Sequence, residues 1–588
     1  MDLAAASVGF ASLAIQLFHG CIQGIVLFNT AQHIGDDGGL FRAGLEYEKY
    51  RFIRWASKAG VLEEDGINPN PRMNWQLATM ILEQLARFVT SVEKLTKKYS
   101  LEVSEEVVDE RERETAAEPP KQGLGRLYSR LKPEIYTTSG KIIQAQNGPM
   151  KRLRWAATGK DKAKGIISEF HGLINMLESL LDSGDRESRH AEDARLLRNL
   201  VSLTSTTTEV GELGDMLENG MSLSSNEREI RAAAYVKQIR LTLGADRRED
   251  EVQPTATMQI QNAMPRLRVI KRSLNAWSGT ELRLDGIEFA RFSNNSQVII
   301  QWKVAEGELW DKHKDQMKFL AVLLMALTHK SFRSPQCIGY YPWEDRGRHA
   351  LIFSLPGGTT NWALKSLLQL MSEGNNVSLT RRLTIARALA ETLLQLHTAG
   401  WMHKGLRPEN IIFLAPEGSR NGDFLQSEPF VMGYDYARPD TPDAAAAFTQ
   451  LPENNPSADL YRHPQARGLA RETYQKRFDL YALGCLLVEL ALWQPMVDIH
   501  TTFTTDGLAD KLVEATKPDA VVFNVPTLSD LLENDAAVAS LKHHAGEQIV
   551  EVVSICCYSG NMEKATIGKE ATLDEQLSIV EKLSRCKL

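Results

Sequence analysis

A chain of 588 residues is too long for one compact core, because a domain commonly takes roughly 100–200 residues. Its 43% hydrophobic and 24% charged content is that of folded globular protein and excludes a wholly disordered, collagen-like or mucin-like chain. With 68 Lys and Arg against 75 Asp and Glu the net charge is −7, which gives no electrostatic case for nucleic-acid binding. The six cysteines, at 21, 337, 485, 556, 557 and 586, have neither the density of a disulfide scaffold nor the spacing of a zinc set. They read as buried structural thiols in a reducing, cytoplasmic compartment.

Residues 3 to 35 contain no Asp, Glu, Lys or Arg. A signal peptide is disfavoured, because Asp2 is the only charge ahead of the apolar stretch LAAASVGFASLAIQLF. Gln16, His19 and Gln23 interrupt the run of about 20 apolar residues that a membrane span needs. A helix hidden in a bundle comes first; its Ala, Ser and Gly content would equally let it pack against helices in lipid. Leu3, Val8, Phe10, Leu13, Ile15, Leu17 and Phe18 are then the candidates for membrane insertion.

Apolar residues at helical spacing predict helices over 38–60, 71–98, 163–182 and 187–203. In the third, Ile166, Phe170, Leu173, Leu177 and Leu180, joined by Ile167, Ile174 and Leu181, make one wide stripe, with Glu169, Asn175 and Glu178 left on other faces. Few alternating β-branched runs occur in the first 240 or so residues, so an all-α bundle is expected there. The charged segment LEVSEEVVDERERETAAEPPKQG, about 100–122, reads as a solvated loop. From Lys121 to Lys164 eleven Lys or Arg face Glu134 and Asp161, with Glu169 just beyond. That basic band is either a solvated face or a dock for anionic membrane lipid, and Trp155 fits core packing or an interfacial anchor.

The start ASVGFASLAIQLFHGCIQGIVLFNTAQHIGDD, followed by LFRAGLEYEKYRFIRWASKAG, resembles the HeLo domain of fungal prion-inhibition and propagation proteins over roughly residues 1 to 220. The resemblance implies a helical bundle whose N-terminal helix leaves on activation and permeabilises membranes, within fungal self-recognition, heterokaryon incompatibility and cell death. The Asn/Gly-rich amyloid tail of well-known members is not present, so the trigger must differ.

The polar stretch LGADRREDEVQPTATMQIQN is taken as a linker over 241–262, dividing a bundle over 1–240 from a second domain over 263–588. Beyond it LRLDGIEFARF and QVIIQWKVA predict paired strands, Asp311 to Leu327 a helix, and CIGYYPWEDRGRHALIFSLP two further strands. LTIARALAETLLQLHTAGWMHKGLRPENIIFL then reads as helix, loop and strand.

This second domain resembles a protein kinase. HKGLRPEN, His403 to Asn410, lies where kinases carry HRDLKPEN; Lys303 closes a strand as the nucleotide-binding lysine does. RFDLYALGCLLVELAL, with Asp479, resembles the helix that anchors the catalytic loop, and YRHPQ, Tyr461 to Gln465, the end of the activation segment. The departures concern charges that phosphoryl transfer needs. Gly405 occupies the position of the catalytic Asp, which leaves no proton acceptor there, and Arg407 that of the loop lysine. FVMGYDYARP aligns Gly433, Tyr434 and Asp435 with the metal-binding DFG; a rival register on Asp423 falls in APEGSRNGDF, read as a hairpin turn. No GxGxxG occurs between 270 and 300, and the helix after Lys303 offers only Asp311 and Asp315, with Glu308 before it, as ion-pair partners.

The expected fold is therefore multidomain, an N-terminal all-α helical bundle followed by an α+β bilobal protein kinase-like fold, with no catalytic residue and no metal site. The expected function is a switch in which a pseudokinase senses a partner or ligand and controls a membrane-targeting bundle, the domain order of the mixed-lineage kinase domain-like family. An active or weakly active Ser/Thr-type kinase with a docking module is the alternative. No cofactor is required; Lys303 and Asn410 mark a residual site for ATP, with or without magnesium, and His403 braces its loop. Expected partners are a second copy on activation, an upstream receptor or partner protein and anionic lipid, with relocation from cytoplasm to plasma membrane.

Overall fold

The computed structural model describes residues 13–25, 38–62, 70, 73–90, 102–107, 126–127, 130–144, 151–156, 160–181, 183–218, 225–245, 286–291, 297–304, 309–356, 361–374, 376–440, 455–468, 472–517, 523–559 and 568–586. The chain divides into two compact units, Met1–Ala234 and Tyr235–Leu588. The sequence places that division at 240 instead. Helix periodicity carries on across it, and the helix Ser225–Ala245 takes in the first residues of the expected linker; 246–262 lie outside the described residues.

The first unit contains helices α1 Leu13–Ile25, α2 Gly38–Lys58, α3 Trp75–Thr90, α4 Pro133–Gln144, α5 Lys160–Ser179, α6 Ser183–Leu203 and α7 Thr207–Glu218, and the first turns of α8 Ser225–Ala245. α2 is central: Phe41, Leu45, Phe52, Ile53 and Trp55 are buried, and it packs against α5 and α7. The stripe of α5 is buried as its spacing predicts except at Leu180, which is half-buried and, with the buried Leu181, follows the end of the helix; Phe88 of α3 meets Phe170 of α5 edge-on at 5.1 Å. Gly44 lets α2 approach α5, since a Cβ there would stand 2.6 Å from Ile167.

Two expectations are corrected in this unit. Strand β1, Glu102–Val107, inside the segment read as a solvated loop, pairs antiparallel with β2, Lys151–Ala156, inside the basic band. Its register sets Val103 opposite Trp155 and Glu106 opposite Arg152, so part of the segment read as a solvated loop is paired backbone to backbone with part of the basic band, which was left open between a solvated face and a lipid dock. Glu178, assigned to an outer face, is only 7% exposed. It closes a buried ion network instead: its carboxylate accepts from Arg51 at 2.6 Å and Arg54 at 3.3 Å. Arg51 also pairs with Glu48 at 3.1 Å, His171 lies 2.9 Å from Glu48, and Arg54 holds Asp193 of α6 through both oxygens. Burial pushes the Glu48 carboxyl up, but Arg51 and His171 together hold it below its ordinary value.

In the second unit a four-stranded antiparallel sheet comes first, formed by β3 Ile287–Arg291, β4 Gln297–Val304, β5 Cys337–Trp343 and β6 Arg348–Ser354 in the order β3-β4-β6-β5. β4 is buried from Val298 to Lys303, as a central strand covered on both faces should be. Helix α9, Leu309–Ala326, packs on β5 and β6. The rest is helical with small sheets. β7 Trp362–Ser366, β9 Ile411–Pro416 and β10 Phe430–Val431 join in the order β10-β9-β7, and β8 Trp401–Met402 pairs with β11 Arg438–Pro439. Around them lie α10 Leu367–Ser372, α11 Leu379–Thr398, α12 Asn421–Gln426, α13 Pro456–Asp459, α14 Lys476–Leu492, α15 Met496–Phe503, α16 Leu508–Glu514, α17 Leu528–Leu532, α18 Asp535–Ala545, α19 Glu547–Tyr558 and α20 Gly568–Arg585.

The segment read as a hairpin turn forms α12, where Asp423 at the third position accepts from the Arg420 backbone N–H at 2.9 Å. α14 is buried from Phe478 to Ala491, and Gly484 admits Cys556 and Leu528, each 2.8 Å from a Cβ placed there. No single described helix is long and apolar enough to cross a membrane; α14 with α15 passes by composition but bends by 78° and is core.

Replacing Glu178 by Ala leaves two buried guanidiniums short of a partner, a loss of about 3–5 kcal/mol for a broken buried pair. Hydrogen exchange of the full chain should show α2, α5 and α6 losing protection while α14 keeps it.

Candidate functional site

The loop His403–Asn410 is set by one carboxylate. Asp479, fully buried in the first turn of α14, accepts the backbone N–H of His403 and of Lys404, each at 2.8 Å, and the Tyr474 hydroxyl at 2.7 Å. His397, at the end of α11, lies 3.0 Å from Asp479 and 3.0 Å from Gln576 of α20. Burial opposes ionisation of Asp479, and the hydrogen bond from His397 leads the effects that hold its pKa below the ordinary value. With its N–H fixed, Lys404 keeps a left-handed φ of 63°, uncommon for a residue with a side chain.

His403 is fully buried; its Nδ1 accepts from the Gly405 N–H at 3.2 Å and its ring meets Tyr434 edge-on. Gly405 and Gly433 face each other across Asn410. The Asn410 carboxamide donates to the Gly405 carbonyl at 2.7 Å, and the Met432 N–H donates to the Asn410 carbonyl at 2.8 Å. A Cβ at 405 would stand 2.7 Å from the Gly433 carbonyl oxygen. At 433, where φ is 85°, a Cβ would overlap the Asn410 carboxamide. Both positions thus require glycine for close approach, and 433 for its conformation as well. The Gly433 N–H donates to Gln301 of β4 at 3.2 Å. Asp435 lies in the 3-10 turn Tyr434–Tyr436, and Asp423 sits apart on α12.

Above this loop lies a cavity of about 540 Å³. Lys303 of β4 and Asn410 both line it, with Gly405 and Arg407; the sequence had singled out each of these. Lys303, 6% exposed, places its ammonium 3.7 Å from the centroid of the Tyr436 ring. Its cross-strand neighbour is His349, which is fully buried, stacked on Trp310 at 3.9 Å and 2.8 Å from the Tyr340 hydroxyl; burial holds it to a pKa of about 4. The carboxylates expected on α9 point elsewhere: Asp311 is exposed, and Asp315 pairs with Lys318 at 3.5 Å. Sequence reasoning passed over Tyr436, Arg348 and Arg462 as lining residues. The charge of Lys404 and Arg462, both inside quoted motifs, was the available signal.

α1 is the other candidate element. It contains no Asp, Glu, Lys or Arg and joins its unit by apolar packing. Phe18 is buried with its ring 4.8 Å from Phe52, the Cys21 thiol donates to the Leu82 carbonyl at 3.7 Å, and Gly24 lies against Val89. Gln23 Nε2 is buried without a hydrogen-bond partner among the described residues, a cost of about 1–3 kcal/mol. Ile15 and Leu17 are half-buried and Leu13 is 40% exposed; Leu3, Val8 and Phe10 lie outside the described residues.

Gly405→Asp pushes a side chain into the Gly433 backbone. Overpacking of this kind costs about 1–3 kcal/mol, so thermal denaturation of the full chain should show the second unit destabilised by that amount.

No curated protein matches the chain. Residues 6–215, the span that holds α1 and the buried ion network, match the HeLo family model, prion-inhibition and propagation.

Proposed function

We propose that this protein is a switch of fungal self-recognition or regulated cell death, in which a pseudokinase senses a partner or ligand and controls a membrane-targeting HeLo bundle. The observation that carries the reading is the seating of α1. Within the HeLo match, this uncharged helix is held by apolar contacts and buries an unmet donor at Gln23, while the ion network fastens α2, α5 and α6 without it. α1 can therefore leave without separating a single buried ion pair of that network. Exposed to water, its apolar face would seek lipid or a second copy of itself, which accounts for relocation from cytoplasm to plasma membrane and for assembly on activation.

The kinase-like reading of the second unit has three supports. A lysine-bearing central strand precedes a helix that packs on the sheet, Asp479 fixes the loop His403–Asn410, and that loop lines a cavity with Lys303. The reading as a pseudokinase, without phosphoryl transfer, is supported by Gly405, which supplies no proton acceptor, and by Gly433, which supplies no metal ligand.

In a dye-release assay on anionic liposomes, the activated full chain should cause leakage and the same chain lacking residues 1–20 should not. Leakage by the truncated protein, or none by the intact one, overturns the executioner role.

The second reading, an active or weakly active Ser/Thr-type kinase, has the placement of Lys303 and Asn410 at one cavity in its favour. With magnesium or manganese, the full chain should give no phosphate incorporation beyond that of Lys303→Ala; robust Lys303-dependent incorporation would replace the first reading by the second.

A further inference from the structure

A buried guanidinium on α8 has no anion to answer it. Arg240 lies on the second half of that helix, which from Tyr235 onward belongs to the second unit, and it is only 6% exposed. Its one hydrogen bond among the described residues runs from Nη1 to the Gly400 carbonyl at 3.2 Å, and Nε is buried with no acceptor. Even that carbonyl is shared, since the Asp440 N–H donates to it at 2.8 Å. The Asp440 carboxylate attracts Arg240 but is held by Lys476 of α14 at 2.8 Å. Gly400, with a φ of 71°, makes the turn between α11 and β8, and a Cβ there would stand 3.0 Å from the guanidinium carbon. Arg240 is thus seated against bare backbone.

The contrast with α2 shows what is missing. Burial opposes the charge on Arg51 and Arg54 as well, yet Glu48 and Asp193 respectively raise them above the ordinary guanidinium value. For Arg240 burial wins and pulls it down to about 10, which leaves it charged at neutral pH. Taking a guanidinium out of water is offset only where carboxylates and further hydrogen bonds meet it. One shared carbonyl does not supply that.

We propose that the second half of α8 is a release element: the desolvation of Arg240 outweighs its single hydrogen bond, so residues 235–245 come away ahead of the rest of the second unit. Opening costs Arg240 one hydrogen bond and no ion pair, and it returns the charge to water. The first turns of α8 keep their own tie in the first unit, where Glu229 lies 3.3 Å from Arg198 of α6. The inference rests on the proposed switch only for its consequence, that this opening is a step by which the second unit frees the bundle.

The test is native-state hydrogen exchange of the full chain, read peptide by peptide. Residues 235–245 should exchange through an opening that leaves α14 protected. Arg240→Met removes the charge and keeps an unbranched chain, and it should slow exchange of 235–245 about tenfold with α14 unchanged. Should that variant not fold, Arg240→Gln reads the same gain, because it carries no charge and keeps a donor for the Gly400 carbonyl. Arg387→Ala, which removes an exposed guanidinium paired with Glu391 on α11, should exchange as the wild type does. Exchange of 235–245 only together with α14, or exchange in both Arg240 variants as fast as in the wild type or faster, overturns the proposal. In the dye-release assay Arg240→Met should leak more slowly than the wild type; slowed exchange with unchanged leakage overturns the coupling to the bundle. A wild type that never leaks removes the switch, and the exchange data then judge the release element by themselves.

Discussion

The second unit depends on keeping one carboxylate ionised out of reach of water. Asp479 is fully buried and takes hydrogen bonds from two successive backbone amides, a tyrosine hydroxyl and a histidine. A buried charge lacking such partners would be costly or would neutralise itself. The network therefore works in both directions: the donors keep Asp479 charged, and the charge keeps the donors where they are. Lys404 is held in a left-handed conformation, which turns the chain so that Gly405 meets Gly433 and Asn410 fills the space between them. From Asp479 the constraint also runs through His397 to Gln576, so the C-terminal helix α20 is bound into the same support.

The first unit uses buried charge differently. On α2, Arg51 and Arg54 reach residues on α5 and α6 that lie far away in sequence, and separating those helices would strand ions in an apolar interior. α1 has no such attachment. Its seat is shape: a phenylalanine on a phenylalanine, and a glycine against Val89 so close that a Cβ would stand 2.5 Å from the valine. Apolar packing transfers to any other apolar surroundings, whereas an ion pair does not. One bundle thus contains a helix seated by apolar packing and a set of helices tied together by buried ions.

Much of this was legible in the sequence. The period of 3.6 in Ile166, Phe170, Leu173 and Leu177 gave α5 and its buried face, and the run QVIIQWKV gave the central strand β4. The motif around His403 located the loop that lines the cavity. Partners distant along the chain were not legible. Glu178 falls on a polar position by periodicity, and nothing local says that Arg51, on another helix, is waiting for it. β1 and β2 were missed for the same reason: one lies in a charged run read as a solvated loop and the other in a basic band left open between a solvated face and a lipid dock, and their pairing joins residues 102–107 to 151–156. Lys404 and Arg462 were quoted for their motifs and not for their charge, which becomes informative only when the fold brings them to one cavity.

On the proposed kinase-like reading, the want of a general base at 405 would not by itself make the site inert, since such a group contributes about 10²–10⁴ in rate and the remainder comes from positioning and electrostatics. The stronger argument is steric. In a site that had merely lost its Asp, the space for that side chain would remain and a substitution would refill it. Here the Gly433 carbonyl oxygen stands only 2.7 Å from where a Cβ at 405 would be, and the Asn410 carboxamide overlaps the place of a Cβ at 433. The two glycines and the asparagine are packed on one another, so a side chain at 405 or at 433 would require its neighbours to move. A loop closed in this way is supported from Asp479 through the backbone N–H groups of His403 and Lys404, so its glycine contact and its buried carboxylate belong to one structure.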